Sequence, residues 1–487
     1  MRRNENSART SRRAAIAAIA ALLLIPLSGR AGAEPSAAPA PSTLPTDPVL
    51  ARLIDESVSA RPELRQAEAA VRAERERVPQ VGALPDPVLS LGIQNDGFKE
   101  IQVGKMETSY YQVMLSQGLP WPGKRGLRSE VARIAADEAG ATLTRARLTT
   151  EADVRRAYTD LVFARDRLGL LKQLEDIWQS SAGIARARYE SGDGAQSDVL
   201  RAQLELNRLR QRRWALEAQE RTAVQTLNRL RGRPVDEALA TSSSLRSLGL
   251  PEASPEGAAV SDALARSPEL AQSRFAAARA TTSVALARKE RYPDLSVQAG
   301  VMPRGSLEPM WLAGVSIGLP IWSSRKQSRA VAENEARADV SSRGAEAIEQ
   351  VLRLRVAERA AAYGALLETI RIFREGLLVQ SRATAQSTLA QYRVGKVTFA
   401  SVLEANAGYI ADEESFLSAV ADAQRIAIAA AEVSLDPVGI SGATAGLARG
   451  GVPGAGSSGG MGAGGASAGG SRTAEASSTG AGMSSGM

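Results

Sequence analysis

Four short stretches of this chain alternate polar or glycine residues with larger apolar ones. Val88–Gln94 and Tyr111–Gln117 flank a polar loop, and Leu295–Val301 and Trp311–Leu319 flank a shorter one. A period of two belongs to strands with unlike faces, so two β-hairpins are predicted. Elsewhere the pattern is helical. From Lys124 to about Glu190, and from Lys326 to about Arg393, there is no proline and little glycine. At ~1.5 Å per residue each run reaches about 100 Å as a helix. Val154, Tyr158, Leu161 and Leu168 stand at near-heptad spacing, interrupted by Arg165, and Tyr363, Leu366, Ile370, Phe373 and Leu377 do so more regularly. Steps of three and four give one apolar seam, as in coiled coils. Returning helices are predicted at about 198–231 and 399–435, and leading helices at 47–80 and about 256–291.

The chain repeats itself once. Ala60-Arg61-Pro62-Glu63-Leu64 is echoed by Arg266-Ser267-Pro268-Glu269-Leu270, and Leu84-Pro85-Asp86 by Tyr292-Pro293-Asp294. Gly118-Leu119-Pro120, with Trp121 and the basic pair Lys124-Arg125, recurs as Gly318-Leu319-Pro320 with Trp322 and Arg325-Lys326. Tyr189 to Gly192, with Val199, Leu200 and Ala202, recurs at identical spacing as Tyr392 to Gly395, with Val402, Leu403 and Ala405. Four echoes in one order indicate duplication, and a period near 200 residues is too long for a solenoid unit. Residues 47–250 form the first repeat and 251–436 the second. Each holds a helix, a β-hairpin and a long helical hairpin.

Strands of roughly ten residues have the length of tilted outer-membrane strands. Four strands cannot close a barrel, and an open edge is not tolerated in lipid. The helices, with charged stretches such as Arg201 to Arg213, leave little apolar surface to cover a sheet. Three copies sharing one barrel supply twelve strands, which resolves the difficulty.

The termini change the picture of charge. Met1 to Arg13 carries five arginines, Ala14 to Leu27 is apolar, and Ala31-Gly32-Ala33 has the small-residue pattern of a cleavage site. Residues 1–33 therefore read as a signal peptide and 34–46 as a linker. The formal charge of +7 falls to +2 once six Arg and one Glu leave with residues 1–33, so nothing calls for nucleic acid. No other stretch has the ~20 apolar residues of a transmembrane helix. Residues 437–487 are rich in Gly, Ser and Ala and read as a disordered, low-complexity tail, favoured over a weak attraction of Met461, Met483 and Met487 for a soft metal such as Cu(I). The chain has no Cys and no His. That excludes disulfides, the usual zinc and copper sites, and Ser-His or Cys-His catalysis, so no enzyme and no cofactor is expected.

The duplicated order, the run Gly118 to Arg125 and the paired Tyr-x-x-Gly turns together resemble the TolC family of outer-membrane efflux proteins over residues 47–436. The resemblance implies a mainly α fold with a small β part. Long α-helical hairpins form a periplasmic α-barrel, and four strands join a trimeric, 12-stranded transmembrane β-barrel. It implies a homotrimer in outer-membrane lipid that works with a periplasmic adaptor and an inner-membrane pump of the resistance-nodulation-division type. Such a duct performs no chemistry of its own.

The site residues follow from the same resemblance. Gly192 and Gly395 suit tight reversals with positive φ, and Ser197 and Asp198 suit the start of a returning helix. The tips carrying Tyr189, Gly192, Val199, Leu200, Gly395, Val402 and Leu403 are implied adaptor contacts, and Asp198, Tyr392 and Glu404 the periplasmic aperture. Ser401 occupies a position where relatives carry a second acid. Val397, beside Lys396, stands where the best-known relatives carry Arg, so the closed-state lock is expected to differ. Trp121 and Trp322 are expected at the membrane interface, as aromatics at strand ends are. Leu84 to Pro87 and the Leu119 to Arg125 run most resemble members paired with heavy-metal pumps. A drug-efflux or type I secretion duct is the close alternative, and a soluble periplasmic coiled-coil adaptor the alternative of another class.

Overall fold

The computed structural model describes residue 44, residues 47–241 and residues 243–437. The expected signal peptide, nearly all of the linker and all but the first residue of the expected tail lie outside the described residues.

The first repeat opens with α1 (Pro48–Ala60) and α2 (Pro62–Gly82). The second opens with α5 (Glu256–Arg266) and α6 (Pro268–Lys289). Each pair was expected as one helix. The break falls in both at the residue before a proline, where Arg61 and Ser267 are extended (ψ 121° and 116°). Proline disfavours helical backbone just ahead of it and then starts the next helix comfortably at its first position.

The strands are β1 (Val88–Gln94), β2 (Tyr110–Leu119), β3 (Leu295–Arg304) and β4 (Leu307–Ile317). They form one antiparallel sheet in chain order, with β2 pairing β3 between the repeats. Among the described residues both edges, β1 and β4, are unpaired.

Helix α3 (Lys124–Glu190) runs 67 residues, about 100 Å. Helix α4 (Gln196–Leu230) returns beside it. In the second repeat α7 (Gln327–Ile372), a π-helical turn (Phe373–Leu377) and α8 (Leu378–Arg393) follow in series with 46, five and 16 residues, matching α3 in length. Helix α9 (Phe399–Glu432) returns along them and also packs on α3. Among the described residues no helix is long and apolar enough to cross a membrane.

The seams bury as the spacing predicts, with two corrections. Val154, Tyr158 and Leu161 are fully buried, and Tyr363, Leu366 and Ile370 join the same core. Leu377, expected on that seam, is exposed, while Leu378 packs on the core instead. The π turn inserts one residue into the helical count and shifts the seam. Arg165 does not merely interrupt its seam. It donates to Glu220 at 2.7 Å, Thr241 at 2.7 Å and the Leu239 carbonyl at 2.6 Å, tying α3 to α4 and to the segment that follows α4.

Candidate functional site

The two helical hairpins end in turns of the same make. At the first, Gly192 takes φ 82° and its amide donates to the Tyr189 carbonyl at 3.1 Å. At the second, Gly395 takes φ 72° and its amide donates to the Tyr392 carbonyl at 3.0 Å. Positive φ is open to glycine without steric penalty, so a single residue reverses the chain.

The returning helices start differently. Thr398 caps α9, its hydroxyl accepting from the Ser401 amide at 3.4 Å. Ala195 is the cap residue of α4 and its methyl offers no hydrogen-bond acceptor. Asp198 sits in the first turn of α4, where a carboxylate suits the helix dipole. It also reaches across to the other hairpin.

That crossing joins the tips. The Tyr392 hydroxyl donates to Asp198 Oδ2 at 3.3 Å. Arg188, near the end of α3, donates to the Tyr392 carbonyl at 2.9 Å and to the Asp193 carbonyl at 3.0 Å. Its guanidinium also lies 5.0 Å from the Tyr392 ring centroid, within cation–π range. Tyr392 packs on Phe399 at 5.4 Å between centroids, above a cluster with Trp178, Ala202 and Leu209. Burial, and next the neighbouring Asp198 carboxylate, push the Tyr392 phenol up, against the opposing pull of Arg188. Its hydroxyl therefore remains a donor at neutral pH.

The tips are not equivalent in their exposure. Tyr392 is 1 % exposed, whereas its counterpart Tyr189 is 48 % exposed. Val402 is buried and Leu403 packs on the cluster, while Val199 is half-buried and Leu200 is exposed. Glu404 is exposed on α9 and takes no part in the Tyr392–Asp198 bond. Ser401 is engaged by Thr398 at 3.2 Å, Val397 packs on the apolar cluster, and Lys396 is exposed.

Arg188 was not anticipated from the sequence. The repeat alignment contains the signal, because Gln391 stands at the equivalent position before Tyr392. A further constraint is Gly194, where a Cβ would lie 2.9 Å from the Arg188 Cβ.

At the other end of the helices, Trp121 and Lys124 make a joint. Asp294 Oδ1 accepts from the Trp121 amide and from Lys124 Nζ, both at 2.8 Å. Lys124 Nζ donates also to the Tyr292 carbonyl at 2.8 Å, and the Trp121 ring stacks on Tyr292 at 5.4 Å. Trp322 makes no such joint among the described residues and is 67 % exposed. Among the described residues no group of three acidic residues could hold a metal ion.

Residues 53–233 and 259–433 match the sequence profile of the outer membrane efflux protein family, in two segments that fall one in each repeat. Nodulation protein T of Rhizobium leguminosarum bv. trifolii is 23 % identical over 404 residues, covering 77 % of this chain and 82 % of that protein. The solved outer-membrane channel OprN matches with TM-score 0.67 and 24 % identity, over 79 % of this chain and 90 % of its own. The open-state MtrE outer-membrane channel of Neisseria gonorrhoeae matches with TM-score 0.68 and 20 % identity, over 80 % and 90 %.

Proposed function

The chain belongs to the outer membrane efflux protein family, and on that premise we propose that it assembles as a homotrimer fed by a periplasmic adaptor and an inner-membrane pump. Its established part is that of an outer-membrane exit duct with a large periplasmic portion. Channels of this family act as trimers with adaptor and pump partners, and they are not enzymes. The trimer of this chain carries twelve strands in one barrel, with the helical hairpins continuing as the tunnel wall.

One observation supports this reading above the others: the four-stranded sheet has two unpaired edges. An edge in lipid leaves a row of unsatisfied amides and carbonyls, and joining copies edge to edge removes it. The hairpin tips are the periplasmic entrance, held shut by the Arg188–Tyr392–Asp198 contacts. The exposed tip residues Tyr189 and Leu200 are adaptor contacts, with Gly192, Val199, Gly395, Val402 and Leu403 shaping the turns that present them. Three Glu404 carboxylates around one aperture attract cations. Trp121 and Trp322 stand at the periplasmic membrane interface.

The substrate reading is a heavy-metal cation handed over by a pump of the resistance-nodulation-division type. It rests on the motifs from Leu84 to Pro87 and from Leu119 to Arg125. The chain has no His and no Cys, so selection belongs to the pump. Fractionation tests the duct: the mature protein is expected in the outer membrane as a heat-modifiable trimer, and recovery as a soluble periplasmic monomer overturns it. Deletion of the gene is expected to sensitise cells to heavy metals; sensitisation to drugs alone replaces the metal reading with the drug-efflux one.

A further inference from the structure

The joint at Asp294 connects the two repeats within one chain, and the repeat itself has no end inside that chain. Lys124 and Trp121 leave the first hairpin and meet Tyr292 and Asp294, which lead into the second. Their counterparts are unused. Asp86 stands where Asp294 does, and Trp322 with Arg325 and Lys326 where Trp121 with Lys124 and Arg125 do. All four of these residues are exposed in the single chain. They lie beside the two unpaired edges, Asp86 just before β1 and Trp322 just after β4.

The duplication also holds in the strand register. Pro85 and Asp86 map onto Pro293 and Asp294, an offset of 208, and Gly118 maps onto Gly318, an offset of 200. Carried by those offsets, the observed pair Val88 with Ser116 becomes Ser296 with Ser316. That pair is present in the β3–β4 ladder, so the sheet keeps the repeat to the residue.

We propose that Asp86 of one copy receives the Trp322 amide and the Arg325-Lys326 basic pair of the neighbouring copy, and that β4 pairs with the neighbour's β1 in the register that places Val315 opposite Leu91. This rests on the homotrimer proposed above and specifies its seam. The register comes from the observed β2–β3 pair Leu115 with Ala299, moved by the same two offsets. The occupant of both edges is a second copy of this chain, since β4 meets in β1 the equivalent of the strand that β2 meets in β3. In the neighbour's joint Leu84 takes the place of Tyr292, so the ring stack becomes a Trp322–Leu84 apolar contact. The barrel and the tunnel are thus pinned at six joints in the trimer, three within chains and three of altered make between them.

Cysteine pairs test this, because the chain has no cysteine of its own. In one chain β1 and β4 are three strand spacings apart, about 14 Å, too far for an internal disulfide. Full-length protein carrying Leu91→Cys and Val315→Cys is expected to give covalent dimers and trimers on non-reducing gels, with each single variant remaining monomeric after denaturation. Leu89→Cys with Ala313→Cys, four residues out of register, is expected to give none. A native trimer that cross-links only through the shifted pair, or through neither, overturns the seam while leaving the trimer standing. A native monomer removes the trimeric reading itself. As a second readout, Asp86→Lys is expected to abolish the trimer band of unheated samples, and adding Arg325→Glu with Lys326→Glu to restore it. A full-strength band in Asp86→Lys, or no restoration, overturns the joint.

Discussion

Arg188 donates to the Tyr392 carbonyl at 2.9 Å while its guanidinium lies over the ring of the same residue, so one side chain holds the second hairpin tip from two sides. The same guanidinium closes the first tip by donating to Asp193. Arg188 thus approaches Tyr392 from the opposite hairpin.

Removing that side chain is expected to loosen the tips. A hydrogen bond from a charged group contributes about 1.5–3 kcal/mol and an exposed cation–π contact about 0.5–1 kcal/mol. Arg188→Ala is expected to raise single-channel conductance in planar bilayers with little change in trimer melting. Arg188→Lys is expected to restore closure only in part, since an ammonium lacks the fork that spans both carbonyls. Unchanged conductance in Arg188→Ala would remove it from the lock.

The two turn glycines are expected to respond differently. Gly192→Ala forces a positive φ at a cost of about 1 kcal/mol, with nothing within 4 Å of the new methyl. Gly395→Ala adds a methyl 3.3 Å from Arg188 Nη2. Both variants are expected to melt slightly earlier, but only Gly395→Ala to leak ions in the absence of pump and adaptor.

Glu404 is exposed and outside the tip bond, so Glu404→Ala is expected to leave folding unchanged. Its effect belongs to the ions: cation-to-anion selectivity and divalent block are expected to fall in reversal-potential and current recordings. Equal selectivity in the variant and the parent would place Glu404 away from the aperture.

Asp47 should set part of the acid limit of stability. Burial disfavours its charge, but bonds from Ser243, Tyr158 and the Leu50 and Val49 amides outweigh that and hold its carboxyl below the ordinary 3.8. A carboxyl lowered on folding stabilises above the unfolded value, near pH 4, and that stability is lost as pH falls through the folded value. Asp47→Asn is expected to flatten the acid limb of an unfolding-versus-pH curve. Asp47→Ala, which also removes a helix cap and leaves the Tyr158 hydroxyl without its acceptor, is expected to cost about 2–4 kcal/mol at neutral pH.

The sequence by itself determined the elements. Long runs without proline gave α3 its two ends, alternation placed the four strands, and the paired glycines marked both tips, because these depend on local backbone preference and short-range periodicity. The breaks at Arg61 and Ser267 were missed, each pair being expected as one helix, although the prolines that follow them carry the local signal. Tertiary structure decided what had no local signature. The π turn at Phe373 to Leu377 moved Leu377 off its seam, the two tips became unequal in burial, and Arg188 crossed to Tyr392 from about 200 residues away. Such contacts arise only when distant helices pack, and no window of neighbouring residues contains both partners.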